Sequence, residues 1–183
     1  MTREETLVEL VDPAGVPIGS ATVGRAHAAP GQLHRAFSVL LVDAAGRLLL
    51  QQRAESKTRF PLRWANACCG HPAPAADLVA SAAARLFDEL GLGSIELRPI
   101  GVYVYRAPDP VTGRVEHEYD HVLVGRVEGQ QPRPNPAEVA AVRWASPGDL
   151  HDHIATGPAD YAPWLSGVVG VWQRAAMETP GGR

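Results

Sequence analysis

Residues 77–91 read DLVASAAARLFDELG, and this stretch decides how the chain around it is interpreted. Asp77 is a residue type that caps helix N-termini, alanine is frequent after it, and Gly91 is the type that most often follows a helix end. Apolar side chains recur at helical spacing and predict one packing face, formed by Val79, Ala83, Leu86 and Leu90. The stretch therefore predicts a single amphipathic helix from Asp77 to Leu90.

Short apolar runs flank this helix on both sides in the sequence. They predict strands at Leu7–Val11, Phe37–Asp43, Leu48–Arg53, Ile100–Arg106, Val115–Val127 and Val142–Ala145. Turn residues join the second strand to the third as a hairpin, and Asp109 to Gly113 joins the fourth to the fifth. Ser146-Pro147 predicts the capped start of a helix, and Tyr161–Met177 predicts a terminal helix. The pattern predicts an α/β protein of the α+β type, built as one layered domain.

Length and composition agree with one domain spanning residues 1–183. The chain has 183 residues, of which 45% are hydrophobic, so it can bury a substantial core. Residues 130–136 contain three prolines and predict a surface loop, because too little chain comes after them to build a second core. Residues 179–183 are predicted to be a loose tail.

The net charge and the two cysteines limit which kinds of partner and which cellular location are expected. The formal net charge of -3 and the absence of a long Lys/Arg run argue against nucleic-acid and membrane-surface binding. Cys68 and Cys69 are adjacent, and neighbouring cysteines rarely reach disulfide geometry. The N-terminus lacks the apolar core of a signal peptide, and no apolar run approaches the ~20 residues of a membrane span. We expect a cytoplasmic protein with a small-molecule partner, as a monomer or weak homodimer.

The segment Cys69-Gly70-His71-Pro72 can bring a thiol and an imidazole together. The residue before a proline disfavours helical dihedrals, so His71 is expected to be extended. Alternate residues of an extended segment share one face, which would turn Cys69 and His71 into one cavity and Cys68 away from it. The alternative is that Cys69 is a small buried hydrophobe and His71 a turn histidine.

Glu116 and Glu118 alternate along a predicted strand, so their carboxylates face the same way. Two like charges in an enclosed site repel each other unless a cation lies between them or one is protonated. A metal would resolve the conflict, whereas two solvated glutamates on an exposed strand would need none. His27 and His34 are a weak signal by themselves.

Arg85 and Glu89 are four residues apart on the predicted helix. They can form a surface pair worth about 0.3–0.5 kcal/mol, or Arg85 can meet phosphate while Glu89 holds a hard cation such as Mg²⁺. Arg53 and Lys57, at the end of a predicted strand and in the loop after it, could add positive charge for a diphosphate.

These motifs together resemble those of type I isopentenyl diphosphate isomerases, which are members of the Nudix superfamily. The resemblance runs through His27-x6-His34, Arg53-x3-Lys57, Trp64-x-Asn66-x2-Cys69-Gly70-His71-Pro72, Glu89-Leu90-Gly91, Tyr105-Arg106-Ala107, Glu116-x-Glu118 and Pro163-Trp164. It implies a Nudix-like mixed sheet flanked by helices and the reversible conversion of isopentenyl diphosphate to dimethylallyl diphosphate.

The resemblance also implies two cation sites. One divalent metal, Mn²⁺, Zn²⁺ or Mg²⁺, would be bound by His27, His34, His71, Glu116 and Glu118. A Mg²⁺ that arrives with the substrate would be held by Glu89 and the main-chain carbonyl of Cys69. Arg53, Lys57 and Arg85 would neutralise the remaining diphosphate charge.

By the same resemblance, Cys69 and Glu118 would exchange protons with opposite faces of the alkene. Tyr105 would tune the acidity of Glu118, and Trp164 would place its ring against the developing cation, a contact worth up to ~2 kcal/mol when desolvated. Packing of Trp164 in the core is the equally simple alternative.

Two departures from the wider family matter. The glutamate expected early in the hydrolase signature is Ala76, and the later Arg-Glu pair is replaced by Ala84-Arg85, which favours an isomerase over a Nudix-type diphosphate hydrolase. Val23 stands where a lysine is often found, with Arg25 as a shifted substitute that we do not assign. A structural metal site in a binding module is the non-enzymatic alternative.

Overall fold

The computed structural model describes residues 2–178, and a mixed β-sheet is its central element. Along the described chain the elements are β1 (Leu7–Val11), β2 (Pro17–Thr22), α1 (Val23–Ala26), β3 (His34–Val42), β4 (Leu48–Arg53), β5 (Trp64–Asn66), β6 (Cys68–Gly70), α2 (Leu78–Leu90), β7 (Arg98–Pro108), β8 (Val115–Arg126), β9 (Val139–Ala145), α3 (Pro147–Thr156) and α4 (Leu165–Glu178). A 3-10 helix, Arg3–Glu5, precedes β1.

Strand β3 is the hub of the sheet. It runs parallel to β8 from the pair His34–Glu118 to the pair Val42–Arg126, and it is antiparallel to β6 on its other side. Strand β7 pairs antiparallel with β8 and sets Tyr105 opposite Glu118. Since directly paired residues project from the same face, this register lines up Tyr105, Glu118 and His34 across three strands.

The two faces of the sheet are packed by different helices. Alternate residues of β3 face opposite ways: Leu40 joins a cluster with Leu165 and Val168 of α4, and Leu41 joins one with Leu86 of α2. Alternating burial on both faces is the pattern of a strand enclosed between two helical layers. The predicted single layered α/β fold is therefore confirmed.

Helix α2 begins and ends where the sequence predicts. The Asp77 carboxylate accepts a hydrogen bond from the Ala80 amide at 2.7 Å, and Gly91 adopts φ +63° as the C-cap. Its buried stripe differs from the predicted one. Leu86 and Leu90 are buried, but the other buried positions are Ala82 and Glu89, while Val79 and Ala83 are half-buried. The helix is rotated so that a carboxylate points inward.

The predicted terminal helix starts too early. Tyr161 forms a bridge with Trp64, and the Ala162 amide donates to the Trp64 carbonyl at 2.8 Å, so the helix begins only at Leu165. The short elements β2, α1 and β5 were not predicted, because runs of three to six residues carry too little periodicity. Strand β6 was predicted only as an extended segment at Cys69 to His71, without a partner strand. The predicted tail, residues 179–183, lies outside the described residues.

The described helices include none that is both long and apolar enough to cross a membrane.

A close approach between α4 and β7 sets the position of Tyr105. A Cβ atom added at Gly167 would lie 2.1 Å from the Tyr103 ring, and Tyr103 stacks on Tyr105 with ring centroids 5.4 Å apart. We expect Gly167→Ala to lower the free energy of unfolding by about 1–3 kcal/mol through overpacking, measured by urea denaturation. Gly148→Ala in α3, which has open space around it, is the control and should lose no stability. Equal effects of the two changes would contradict this account.

Candidate active site

Five side chains from four parts of the chain converge on one point. One potential ligand atom from each lies within 4.8 Å of the others, and the set is His27, His34, His71, Glu116 and Glu118. His27 caps the C-terminus of α1, His34 begins β3, His71 comes directly after β6, and the two glutamates alternate on β8. The three imidazole rings pack with centroids 4.6 to 5.1 Å apart. The structure thus brings together all five residues predicted for the metal site.

Hydrogen bonds orient two of these imidazoles toward the cluster. Nδ1 of His27 donates to the Val23 carbonyl and Nδ1 of His34 to the Gln32 carbonyl, each at 2.8 Å. Because a carbonyl can only accept, Nδ1 of each ring carries a proton, and Nε2 is the atom that faces the cluster. Nε2 of His27 lies 2.8 Å from Glu116 Oε2, and Nε2 of His34 is buried without a hydrogen-bond partner among the described residues.

The electrostatics favour the neutral form of His34 and His71 and place one carboxyl near its titration point. Burial, with the nearby His71, lowers the pKa of His34 to about 3, and burial with His27 lowers the pKa of His71. Burial, with the neighbouring Glu116, raises the pKa of Glu118 to about 7. Burial acts to raise the pKa of Glu116 too, but hydrogen bonding and charge from His27 and Arg59 hold it low.

The donor set fits a divalent metal. Two buried carboxyl groups lie side by side, and Nε2 of His34 lies near them without a hydrogen-bond partner among the described residues. A cation at the centre of the cluster would bind that nitrogen and reduce the repulsion between the carboxylates. Three nitrogen and two oxygen ligands suit a transition metal or Mg²⁺ in a near-octahedral arrangement.

The thiol of Cys69 faces the same cavity as the cluster. This cavity, of about 780 Å³, is lined by Cys69, His71, Tyr105, Glu116, Glu118 and Trp164 among others. The two cysteines face opposite sides of the sheet, as expected. Cys68 is fully buried in the hydrophobic core beneath α2, while Cys69 packs against the core on the other face. The Tyr105 hydroxyl donates to Glu118 Oε2 at 2.7 Å.

Asn66 connects the thiol to the tryptophan. Its Nδ2 donates to the carbonyls of Val39 and Cys68 at 3.2 and 2.8 Å, which turns Oδ1 toward the cavity side. Oδ1 accepts hydrogen bonds from Cys69 Sγ at 3.2 Å and from Trp164 Nε1 at 3.1 Å. Burial, with the charge of Asp120, raises the pKa of Cys69 to about 12, so the resting thiol is protonated.

A second group of charges lies at the α2 side of the cavity. Lys57 Nζ donates to Glu89 Oε1 at 3.1 Å, and Arg85 contacts both Glu89 and Glu138, the latter at 2.8 Å. The predicted helical pair of Arg85 and Glu89 therefore exists, as part of a larger network. Arg53 also lines this cavity, but its Nε and Nη2 donate to main-chain carbonyls of the loop after β4, and its guanidinium carbon lies 5.4 Å from the centroid of the Trp164 ring.

Comparison with known proteins identifies the family. A NUDIX domain model matches residues 32–166. The chain is 55% identical over 174 residues to the isopentenyl-diphosphate Delta-isomerase of Nocardia farcinica, covering 95% of this chain and 98% of that protein. It is 45% identical over 180 residues to the enzyme of the same name from Streptomyces coelicolor, covering 98% and 90%.

This chain belongs to the isopentenyl-diphosphate Delta-isomerase family of NUDIX-domain proteins. A solved structure adds evidence on the fold alone: that of DR0079 from Deinococcus radiodurans superimposes with a TM-score of 0.71 at 19% identity, over 91% of this chain and 99% of that chain. The family predicted from the motifs and its mixed sheet flanked by helices are therefore confirmed.

Three buried or half-buried charges of this family member were missed by sequence reasoning. Arg59 donates from Nε to Glu116 Oε1 at 3.1 Å, Glu138 accepts from Arg85, and Asp120 accepts from the Ser38 hydroxyl at 2.7 Å. Arg59 and Glu138 stand in irregular segments, where single charges have no periodic context. Asp120 had a signal: it continues the alternation of Glu116 and Glu118 along β8.

Metal binding should depend on pH through Glu118. Its pKa is raised to about 7, so in the metal-free protein a proton occupies this carboxyl below that pH and must leave when a cation binds. We expect the apparent affinity for Mn²⁺ to fall from about pH 8 to about pH 6, with a slope approaching tenfold per pH unit at the acidic end. Calorimetry in buffers of different ionisation enthalpy would count the released protons. Mn²⁺ binding near pH 6 without proton release would contradict the assignment.

Proposed function

We propose that this chain catalyses the reversible conversion of isopentenyl diphosphate to dimethylallyl diphosphate, in isoprenoid biosynthesis. The observation that carries the proposal is one cavity that holds a protonated thiol, Cys69, and a carboxyl with a pKa of about 7, Glu118, beside a His/Glu cluster. The relatives named above carry the name of this isomerase. The cytoplasmic location and the monomeric or weakly dimeric state remain predictions.

The residues of the cluster would hold one divalent metal, Mn²⁺, Zn²⁺ or Mg²⁺. When bound, this ion would supply positive charge that lets Glu116 and Glu118 share an enclosed site. The carboxyl of Glu118 has two oxygens with separate neighbours: Oε1 lies 2.8 Å from His71 Nε2, and Oε2 accepts from Tyr105. Glu118 can therefore serve the metal with one oxygen and proton transfer with the other.

The diphosphate would bind at the α2 side of the cavity. Lys57 and Arg85 line the cavity there, together with Arg53, and would face its phosphoryl oxygens. Glu89 is buried beneath them and accepts hydrogen bonds from Lys57 and from Gln51. Glu89 and the Cys69 main-chain carbonyl would hold a Mg²⁺ that arrives with the substrate, and this ion would supply further positive charge for the diphosphate. Binding energy at this end would orient the hydrocarbon toward the thiol.

The reaction needs one proton gained and one proton lost. The alkene accepts a proton at its terminal carbon, passes through a tertiary cation-like state and loses a proton from C2. Cys69 and Glu118 would exchange these protons between them, and because the reaction is reversible each acts as acid in one direction. The Trp164 ring, held by its bond to Asn66, would stabilise the developing positive charge.

A diphosphate hydrolase is the alternative from the sequence. Hydrolysis needs several helix carboxylates to hold the cations that activate water. Helix α2 supplies two, Asp88 and Glu89, and Asp88 is exposed while Glu89 is paired with Lys57 and Arg85. The geometry thus favours the isomerase.

Two substitutions test the proton-transfer roles. Cys69→Ala and Glu118→Gln should each lower kcat for isomerisation by about 10²- to 10⁴-fold, because each removes a group that must give or take a proton. The measurement is conversion of isopentenyl diphosphate in deuterated water with Mg²⁺, monitored by NMR, with phosphate release assayed in parallel.

Cys68→Ala is the matched control, since it removes a neighbouring thiol that faces the opposite layer, and it should keep wild-type kcat. Phosphate release without deuterium uptake would favour the hydrolase. Full activity of Cys69→Ala, together with a metal-dependent melting temperature, would favour a merely structural metal site.

A further inference from the structure

Three cations meet at one carboxylate at the mouth of the cavity. Arg3 donates to both oxygens of Glu138, at 2.6 and 2.8 Å, and Lys57 and Arg85 also donate to Glu138. All four residues line the cavity in which the substrate is proposed to bind. Lys57 and Arg85 are proposed above to bind the diphosphate, and Arg3 shares their anionic partner, Glu138.

The Arg3 contact is a fork geometry. The guanidinium engages the two carboxylate oxygens with two separate nitrogens, the same arrangement by which arginine binds two oxygens of a phosphate. Glu138 stays ionised, because hydrogen bonds from Arg3 and Lys57 outweigh the effect of burial and lower its pKa to about 2. In the absence of substrate, the Glu138 carboxylate therefore supplies the negative charge that Arg3, Lys57 and Arg85 share.

Arg3 is also the member of this group best placed to change partners. Its side chain is 45% exposed, compared with 11% for Lys57 and 16% for Arg85. It belongs to the short 3-10 helix Arg3–Glu5, outside the sheet. Moving its guanidinium to a nearby anion would disturb little packing.

Among the described residues, the rest of the N-terminal segment offers no equivalent charge at this wall. Val23 lines the cavity with an apolar side chain, and the exposed Arg25 is not among the lining residues. Glu4 lines the cavity but is engaged by Arg59 at 2.9 Å. Within residues 2–27 as described, Arg3 is thus the cation that this segment brings to the cavity.

We propose that Arg3 is a diphosphate-binding residue, which Glu138 holds at the cavity mouth until the diphosphate of the substrate takes its place. The inference rests on the proposed function for the identity of the substrate. It requires no new covalent step, only an exchange of one anionic partner for another.

The test compares Arg3→Gln with wild type in two measurements. KM for isopentenyl diphosphate and the dissociation constant of inorganic pyrophosphate, measured by calorimetry with Mg²⁺, should both rise about 10- to 100-fold, while kcat stays within about twofold, since Arg3 lies at the diphosphate end. Arg3→Lys should recover part of the affinity. Arg25→Gln, which changes an exposed cation of the same segment, should leave both constants unchanged.

A double variant separates binding from a merely structural role. If Arg3 contacts the diphosphate, Arg3→Gln should still weaken pyrophosphate binding when Glu138 is already Gln. Loss of the effect in that background, or no effect in the wild-type background, would overturn the proposal. Absence of isomerisation by the wild-type protein would refute the proposed function instead. The pyrophosphate titration would still test whether Arg3 binds the diphosphate group.

Discussion

The structure depends on one electrostatic constraint, the burial of two carboxylates beside three imidazoles. Glu116 and Glu118 are 4% and 7% exposed. Two carboxyl groups so near each other in a low-dielectric site cannot both ionise without a compensating cation. Part of the compensation is built in, through Arg59 on Glu116. The remainder appears as the raised pKa of Glu118, and this uncompensated charge suits the site both to hold a divalent metal and to move a proton.

The sheet register places other polar side chains beside these carboxyl groups. The row Tyr105–Glu118–His34 across β7, β8 and β3 places a phenol, a carboxyl and an imidazole side by side. Strand β6, on the other side of β3, adds the thiol of Cys69 to the same cavity. The proposed catalytic groups therefore lie at β3 and at the strands β6 and β8 that flank it, and α2 brings the charges proposed for the diphosphate to the neighbouring wall.

Features that arise from local periodicity could be predicted from the sequence. Alternation along β8 and the extended segment before Pro72 predicted which side chains share a face, and the caps of α2 predicted its ends, because these are local rules. Sequence reasoning failed where long-range packing decides. The inward rotation of α2 that buries Glu89, and the contacts of Arg59 and Glu138, depend on segments far apart in the chain, and a single charge in a loop has no pattern that reveals its partner.

We propose that the five-residue cluster holds a divalent metal beside Cys69 and Glu118, the proposed proton-transferring pair. Crystals grown with Mn²⁺ and an unreactive diphosphate analogue, measured at the manganese absorption edge, test it most directly. We expect an anomalous peak within bonding distance of His27, His34, His71, Glu116 and Glu118. A cluster without a peak, in a protein that still isomerises isopentenyl diphosphate after metal depletion, would contradict it.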